Sequence, residues 1–203
     1  VIATESVLVS GLSGFSRSGM SSTVFAGGDG GAITVTSPSI TVEDAGLIRS
    51  VTVGDGASGN ILLEAADSLT VQGFRDVTFP GAPLFRVQSS VIAETQAAGD
   101  SGAITVIGGA ITLAEEGRIQ TVTGADGRAG NLTVNGSTIE LSGGGFIEAL
   151  GSGANATGAV NVTASETMTI RGSAHFDLNP LNQSRISNVQ LGDAANGGLT
   201  IHA

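Results

Sequence analysis

Residues 98–113 read AGDSGAITVIGGAITL, a Gly/Asp turn running into an alternation of apolar and small polar residues. The pattern returns as GGDGGAITVTSPSITV at 27–42 and as GRAGNLTVNGSTIEL at 127–141. One such stretch alone could be a metal loop or a phosphate cradle, but several copies make the period the first thing to read. The Gly before each alternation falls at Gly31, Gly59, Gly102, Gly130, Gly158 and Gly197, with spacings of 28, 43, 28, 28 and 39 residues. The unit is therefore 28 residues, and two units carry insertions of 15 and 11.

Each unit holds three short strand-like runs. The first follows the register glycine directly, as in AITVTS (32–37), NILLEA (60–65) and AITVIG (103–108). The second includes SITV (39–42), SLTV (68–71) and AITL (110–113), and the third begins at Met20, Ile48, Val91, Ile119, Ile147 and Ile186. Successive side chains on a strand point to opposite faces. Ile33, Ile61, Ile104, Leu132, Val160 and Leu199 then form one inward column, and Ile40, Leu69, Ile111, Ile139 and Met168 another. Outward neighbours such as Thr34, Thr105 and Thr133 read as surface strand polarity. The expected fold is all-β: a right-handed parallel β-helix, a three-sided solenoid of 28-residue rungs with loop insertions on one edge. About six rungs fill residues 1–203 as a single repeat segment, expected to be an excerpt of a longer chain.

Composition agrees. Gly supplies 32 residues and Pro 4, with no Trp, Tyr or Cys, so the core must be built from branched aliphatics. All 8 basic residues are Arg, against 18 Asp and Glu, for a net charge of −10. Nucleic acid and anionic membrane surfaces are disfavoured partners, since both are bound by clustered basic residues. No run reaches the roughly 18 apolar residues needed to span a bilayer, so no membrane insertion is expected.

The pattern G-x-x-x-G-[AN]-[IL]-T-V followed by [SA]-[IL]-T-[VL], at a 28-residue period, resembles the repeats of filamentous-haemagglutinin-like exoproteins of two-partner secretion systems. The resemblance covers essentially the whole chain. It implies a right-handed β-helix exported across a bacterial outer membrane to the cell surface. Its expected role is a stiff segment of a secreted fibre or adhesin, with other copies of the fibre, or cell-surface and matrix glycans or proteins, as partners. No catalytic role or cofactor is expected.

Three groups of residues compete for a functional reading. Asp29, Asp55, Asp100, Asp126 and Asp193 precede register glycines, and a column of carboxylates could take calcium. Their offset alternates, at −2 for Asp29 and Asp100 and −4 for the other three, which favours plain turn chemistry. A polysaccharide lyase or hydrolase is the alternative from another class, with Glu43 and Asp44, Glu115 and Glu116, Arg75 and Asp76, or His175 and Asp177 as its polar pairs. The two adjacent acidic pairs fall where the second run ends and are expected to be solvated corners. The third group lies in insertions 11–20, 73–90 and 172–185, all between second and third runs. They hold five of the seven Phe, four of the eight Arg and three of the four Pro. Phe74, Phe79, Phe85, Arg75, Arg86, Phe176 and Arg185 form the expected interaction edge, because Phe and Arg are favoured interface residues. The alternative is that these rings fold back and pin their own loops.

Overall fold

The computed structural model describes residues 1–14, 16–78, 81, 84–155, 157–174 and 183–203. Among them every regular element is a strand. Seven strands form the larger sheet: β1 (Ser6–Ser10), β5 (Ile33–Glu43), β7 (Ile61–Gln72), β11 (Ile104–Ala114), β13 (Leu132–Leu141), β15 (Val160–Ile170) and β17 (Leu199–His202), neighbours in that order. Six form the second sheet: β4 (Gly19–Val24), β6 (Leu47–Thr52), β10 (Ser90–Thr95), β12 (Arg118–Thr123), β14 (Phe146–Gly151) and β16 (Arg185–Gln190). Every pairing within the two sheets is parallel and joins one repeat to the next.

The register is the one the sequence columns require. Ile33 pairs with Ile61, Ile61 with Ile104, Ile104 with Leu132, Leu132 with Val160 and Val160 with Leu199. In the second sheet Met20, Ile48, Val91, Ile119, Ile147 and Ile186 follow one another in the same way. The 15- and 11-residue insertions leave this register untouched, because each is spliced out between strands. One hydrophobic cluster takes in both sheets, with Val35, Ile40, Leu63, Val106, Ile111, Ile119, Val134 and Ile147 sealed from solvent or nearly so. Burying each such side chain is worth about 1.5–3 kcal/mol, which is how a sequence with so few aromatics sustains a core.

One expectation is corrected. The spacing predicts the first and second runs as separate strands joined by a corner; they are a single strand in β5, β7, β11, β13 and β15, 11 residues long in β5. The corner is a slip of register, between Ser37 and Ser39 against β7, between Gly108 and Ala110, and between Gly136 and Thr138. A β-bulge bends a strand without ending it, so the turn-like residues here (Pro38, Gly108, Gly109, Gly136) mark a bulge.

Candidate functional site

Two lines of connecting segments flank the sheets, and both predicted site groups fall on them. The first line holds the register glycines. A Cβ on Gly102 would stand 2.2 Å from the carbonyl oxygen of Gly59, and one on Gly130 would stand 2.2 Å from that of Gly102. Successive backbones are in contact here, and only Gly permits it. The five predicted aspartates are all on this line, and they do not converge. Asp29 Oδ1 accepts the backbone N–H of Ala57 at 2.9 Å, Asp100 that of Arg128 at 2.7 Å, and Asp126 that of Ala154 at 3.5 Å, each 28 residues on. Asp55 and Asp193 make no side-chain hydrogen bond among the described residues. The carboxylates at −2, Asp29 and Asp100, meet the amide at −2 of the next repeat, and of the three at −4 Asp126 meets the amide at −4. Among the described residues no group of three or more His, Asp or Glu is assembled that could hold a metal ion.

The same device recurs in residues that the sequence reading did not single out. Asn60 and Asn131 accept the N–H of Ala103 and Ala159, and the hydroxyls of Ser58, Ser101 and Thr157 accept those of Gly102, Gly130 and Gly197. Their signal was the alternation of Ala with Asn immediately after the register glycine. Asp100→Ala should lower stability by about 1 kcal/mol, the net worth of one such hydrogen bond, whereas Asp55→Ala should be neutral. With its Oδ1 so engaged, Asp100 is expected to give a melting curve that millimolar calcium does not move; a calcium-dependent rise abolished by Asp100→Ala would restore the ion site.

The second line joins the second run to the third. In three repeats it is a tight corner of two residues in the left-handed region: Asp44 and Ala45 (φ 52° and 68°), Glu115 and Glu116 (48° and 65°), Gly143 and Gly144 (55° and 85°). In the other three, the insertions leave from Gly11, Gly73 and Gly172, all with positive φ. The first is pinched by β2 (Leu12–Ser13) against β3 (Ser16–Arg17), the second by β8 (Phe74–Val77) against β9 (Phe85–Gln88), and the third by a bridge between Ser173 and Gln183. All three insertions therefore emerge along one edge. Buried Ser89 receives the N–H of Ala45, and Ser184 that of Gly144, which closes the corner below each loop.

The predicted edge residues divide. Phe74 lies under the guanidinium of Arg86, 3.8 Å from its ring centre, so it pins its own hairpin. Arg86 is held by Asp76 at 2.8 Å and by Glu116 at 2.6 Å, and Arg75 pairs with Asp44 at 2.8 Å. Arg185 stacks on the buried ring of Phe146 and pairs with Glu148 at 2.9 Å. Phe85 is different: it is 61% exposed. Phe79 and Phe176, with His175 and Asp177, lie outside the described residues. The acidic pairs are not simply solvated corners either. Glu116 is buried and also accepts from Gln88 at 3.1 Å, and Glu43 accepts from Gln72. Glu116 adopts a backbone conformation that L-residues avoid, as Ala45 does at the corresponding corner.

Asp76 and Arg86 give the hairpin a pH dependence. The hydrogen bond from Arg86 holds the Asp76 carboxyl below its ordinary value, and the Asp76 bond in turn raises Arg86. A carboxylate with a depressed folded pKa contributes fully above its unfolded value and loses that contribution as pH falls through the folded one. Acidification below about pH 4 should therefore raise amide exchange across Phe74–Gln88 while Ile111 stays protected. Uniform protection of the hairpin through strong acid would refute the linkage.

A recess of about 420 Å³ opens between the two hairpins, lined in part by Leu12, Arg17, Val77, Phe85, Arg86 and Arg118. Arg17 spans two repeats: its Nε donates to the carbonyl of Ala45 at 2.8 Å, and its Nη2 to those of Gly46 at 2.9 Å and Gln88 at 2.5 Å. Arg17 Nη2 and Arg118 Nε also meet at one atom, the hydroxyl oxygen of Ser90, at 3.4 and 3.0 Å. Burial first, then the charges of Arg118 and Arg49, lowers Arg17 to about 10. Burial lowers Arg118 as well, against the opposing pull of Glu94 and Glu148. A cation so placed costs stability wherever it stays charged; the cost is relieved as pH rises through about 10 or when an anion arrives.

The chain is thus an all-β protein of long parallel sheets, built from repeats paired in register, with its loops on one edge. No family model, curated protein or solved structure matches it.

Proposed function

We propose that the chain is a run of right-handed, three-sided β-helical rungs serving as a structural and adhesive segment of a secreted bacterial surface fibre, of the kind resembling filamentous-haemagglutinin-like exoproteins. The observation that carries the reading is the unbroken register of both sheets across insertions of 15 and 11 residues. An architecture whose repeats ignore their loops supplies length and stiffness from one part and contact surface from another. The exposed ring of Phe85 sits on that contact edge.

The test has two arms. Antibody against this segment should label intact, unpermeabilised cells, and beads coated with it should adhere to a cell or matrix surface. Replacing 74–88 by a two-residue corner copied from Asp44–Ala45 should abolish adhesion and preserve the β signature in circular dichroism. Labelling only after lysis would remove the surface assignment. Depolymerisation of a soluble polysaccharide by the purified chain would move the reading to an enzyme.

A further inference from the structure

We propose that the recess between the two hairpins binds a carboxylate carried on a compact ring, the chemistry of an acidic monosaccharide unit, with Arg118 and Arg17 holding the carboxylate and Phe85 packing on the ring. The proposal goes beyond the surface-fibre reading and does not depend on it.

Charge makes the first argument. Five arginines (Arg49, Arg75, Arg86, Arg171 and Arg185) pair with carboxylates. Among the described residues Arg17, Arg118 and Arg128 form no ion pair, in a chain of net charge −10 where acids outnumber bases by more than two to one; of the three, Arg17 and Arg118 share the recess, with Glu94 and Glu148 acting on Arg118 from beyond ion-pair distance. Both nevertheless reach the same Ser90 oxygen, so two cations are brought side by side with a hydroxyl between them. Like charges placed together away from bulk water cost free energy, and an anion between them reverses the sign.

Donor inventory makes the second. Arg17 spends Nε and Nη2 on carbonyls and on Ser90, and Arg118 spends only Nε. That leaves Nη1 of Arg17 and both terminal nitrogens of Arg118 without an acceptor among the described residues. None is among the sealed, partnerless side-chain atoms of those residues, which are Arg49 Nε, Thr95 Oγ1, Thr123 Oγ1 and Gln190 Oε1. The open N–H groups therefore reach solvent, and both arginines line the recess. A guanidinium fork matches a carboxylate in geometry as well as in charge.

Shape makes the third. Leu12, the cross-strand partner of Arg17, lines the recess with Val77 and the exposed ring of Phe85. A volume of about 420 Å³ is at the small end for ligand pockets and suits one or two sugar rings. Apolar side chains and fixed cationic donors lining one recess match a ring that has C–H faces and one acidic substituent.

Isothermal titration calorimetry of the full chain with sodium glucuronate, glucose and sodium sulfate tests this. Glucuronate should bind in the millimolar range or tighter, and glucose and sulfate at least about tenfold more weakly. Arg118→Gln should lower glucuronate affinity by about tenfold, the usual effect of losing a charge-assisted hydrogen bond. Arg128→Gln, on the glycine line, should leave it unchanged. If Arg118→Gln fails to fold, Phe85→Ser, at an exposed position, takes its place and should weaken binding with an unaltered β signature. No heat with glucuronate, sulfate binding as tightly as glucuronate, or full affinity in these variants would overturn the proposal. Tighter binding of trigalacturonate than of galacturonate would assign the site to a polymer and equal binding to a free sugar acid; both outcomes support it.

Discussion

Gly102→Ala is expected to destabilise the protein by more than about 3 kcal/mol. The added Cβ would lie 2.2 Å from the Gly59 carbonyl oxygen, 2.5 Å from its carbon and 2.8 Å from the Ser58 oxygen. All three are backbone atoms of the preceding repeat, where the Ser58 N–H donates to the Asp100 carbonyl and the Gly59 N–H to Ser50 Oγ, and none can rotate away. Relief requires β7 and β11 to part, which would also break the bond from Gly102 N–H to Ser58 Oγ. Gly27→Ala is the matched control, since a Cβ there meets nothing within 4 Å. Urea denaturation followed by circular dichroism should show the midpoint falling steeply for Gly102→Ala and holding for Gly27→Ala. Equal behaviour of the two would mean that the backbones are not in contact at the register glycine.

Ile111→Ala is expected to cost about 2–5 kcal/mol. Ile111 sits between Leu69 and Ile139 in its column, and all three are sealed from solvent. The pairing on both sides is continuous, so the cavity cannot collapse without moving a strand on each side. Thr112→Ala, one residue along and on the outward face, should stay within about 0.5 kcal/mol. In an array of repeats the loss can appear as separate melting of the two flanks. Hydrogen exchange resolved along the chain should therefore show deprotection centred on β7, β11 and β13. A deprotection confined to the chain ends would contradict a core shared along the whole length.

The inward columns up to Val160, the period and the common edge of the insertions could be read from spacing alone, because they are properties of single residues repeated at fixed intervals; Leu199, read as the end of its column, is 45% exposed. What escaped was relational. Asp29 and Asp126 look inconsistent as a column and become consistent only once each is matched to an amide 28 residues on. Pro38 and the Gly108–Gly109 pair have turn chemistry, yet parallel pairing on both flanks carries the strand through them as a bulge. Glu116 reads as a solvated acid until the hairpin of an earlier repeat covers it with Arg86 and Gln88. Arg17 and Arg118 stand 101 positions apart in the chain, and nothing short of the stacking order brings them to one serine.

The side-chain bonds along the register glycines have an orientation. At Asp29, Ser58, Asn60, Asp100, Ser101, Asp126, Asn131 and Thr157 the acceptor belongs to the earlier repeat and the donor to the later one. The donor in each of these eight is a main-chain amide, which every residue except proline provides, and no proline occupies a receiving position. Each repeat thus chooses how it grips its successor and, through these bonds, asks of that successor's sequence little beyond the register glycine. Such one-way grammar lets a gene gain, lose or reorder units by recombination in the same reading direction, and it forbids a unit from being turned end for end.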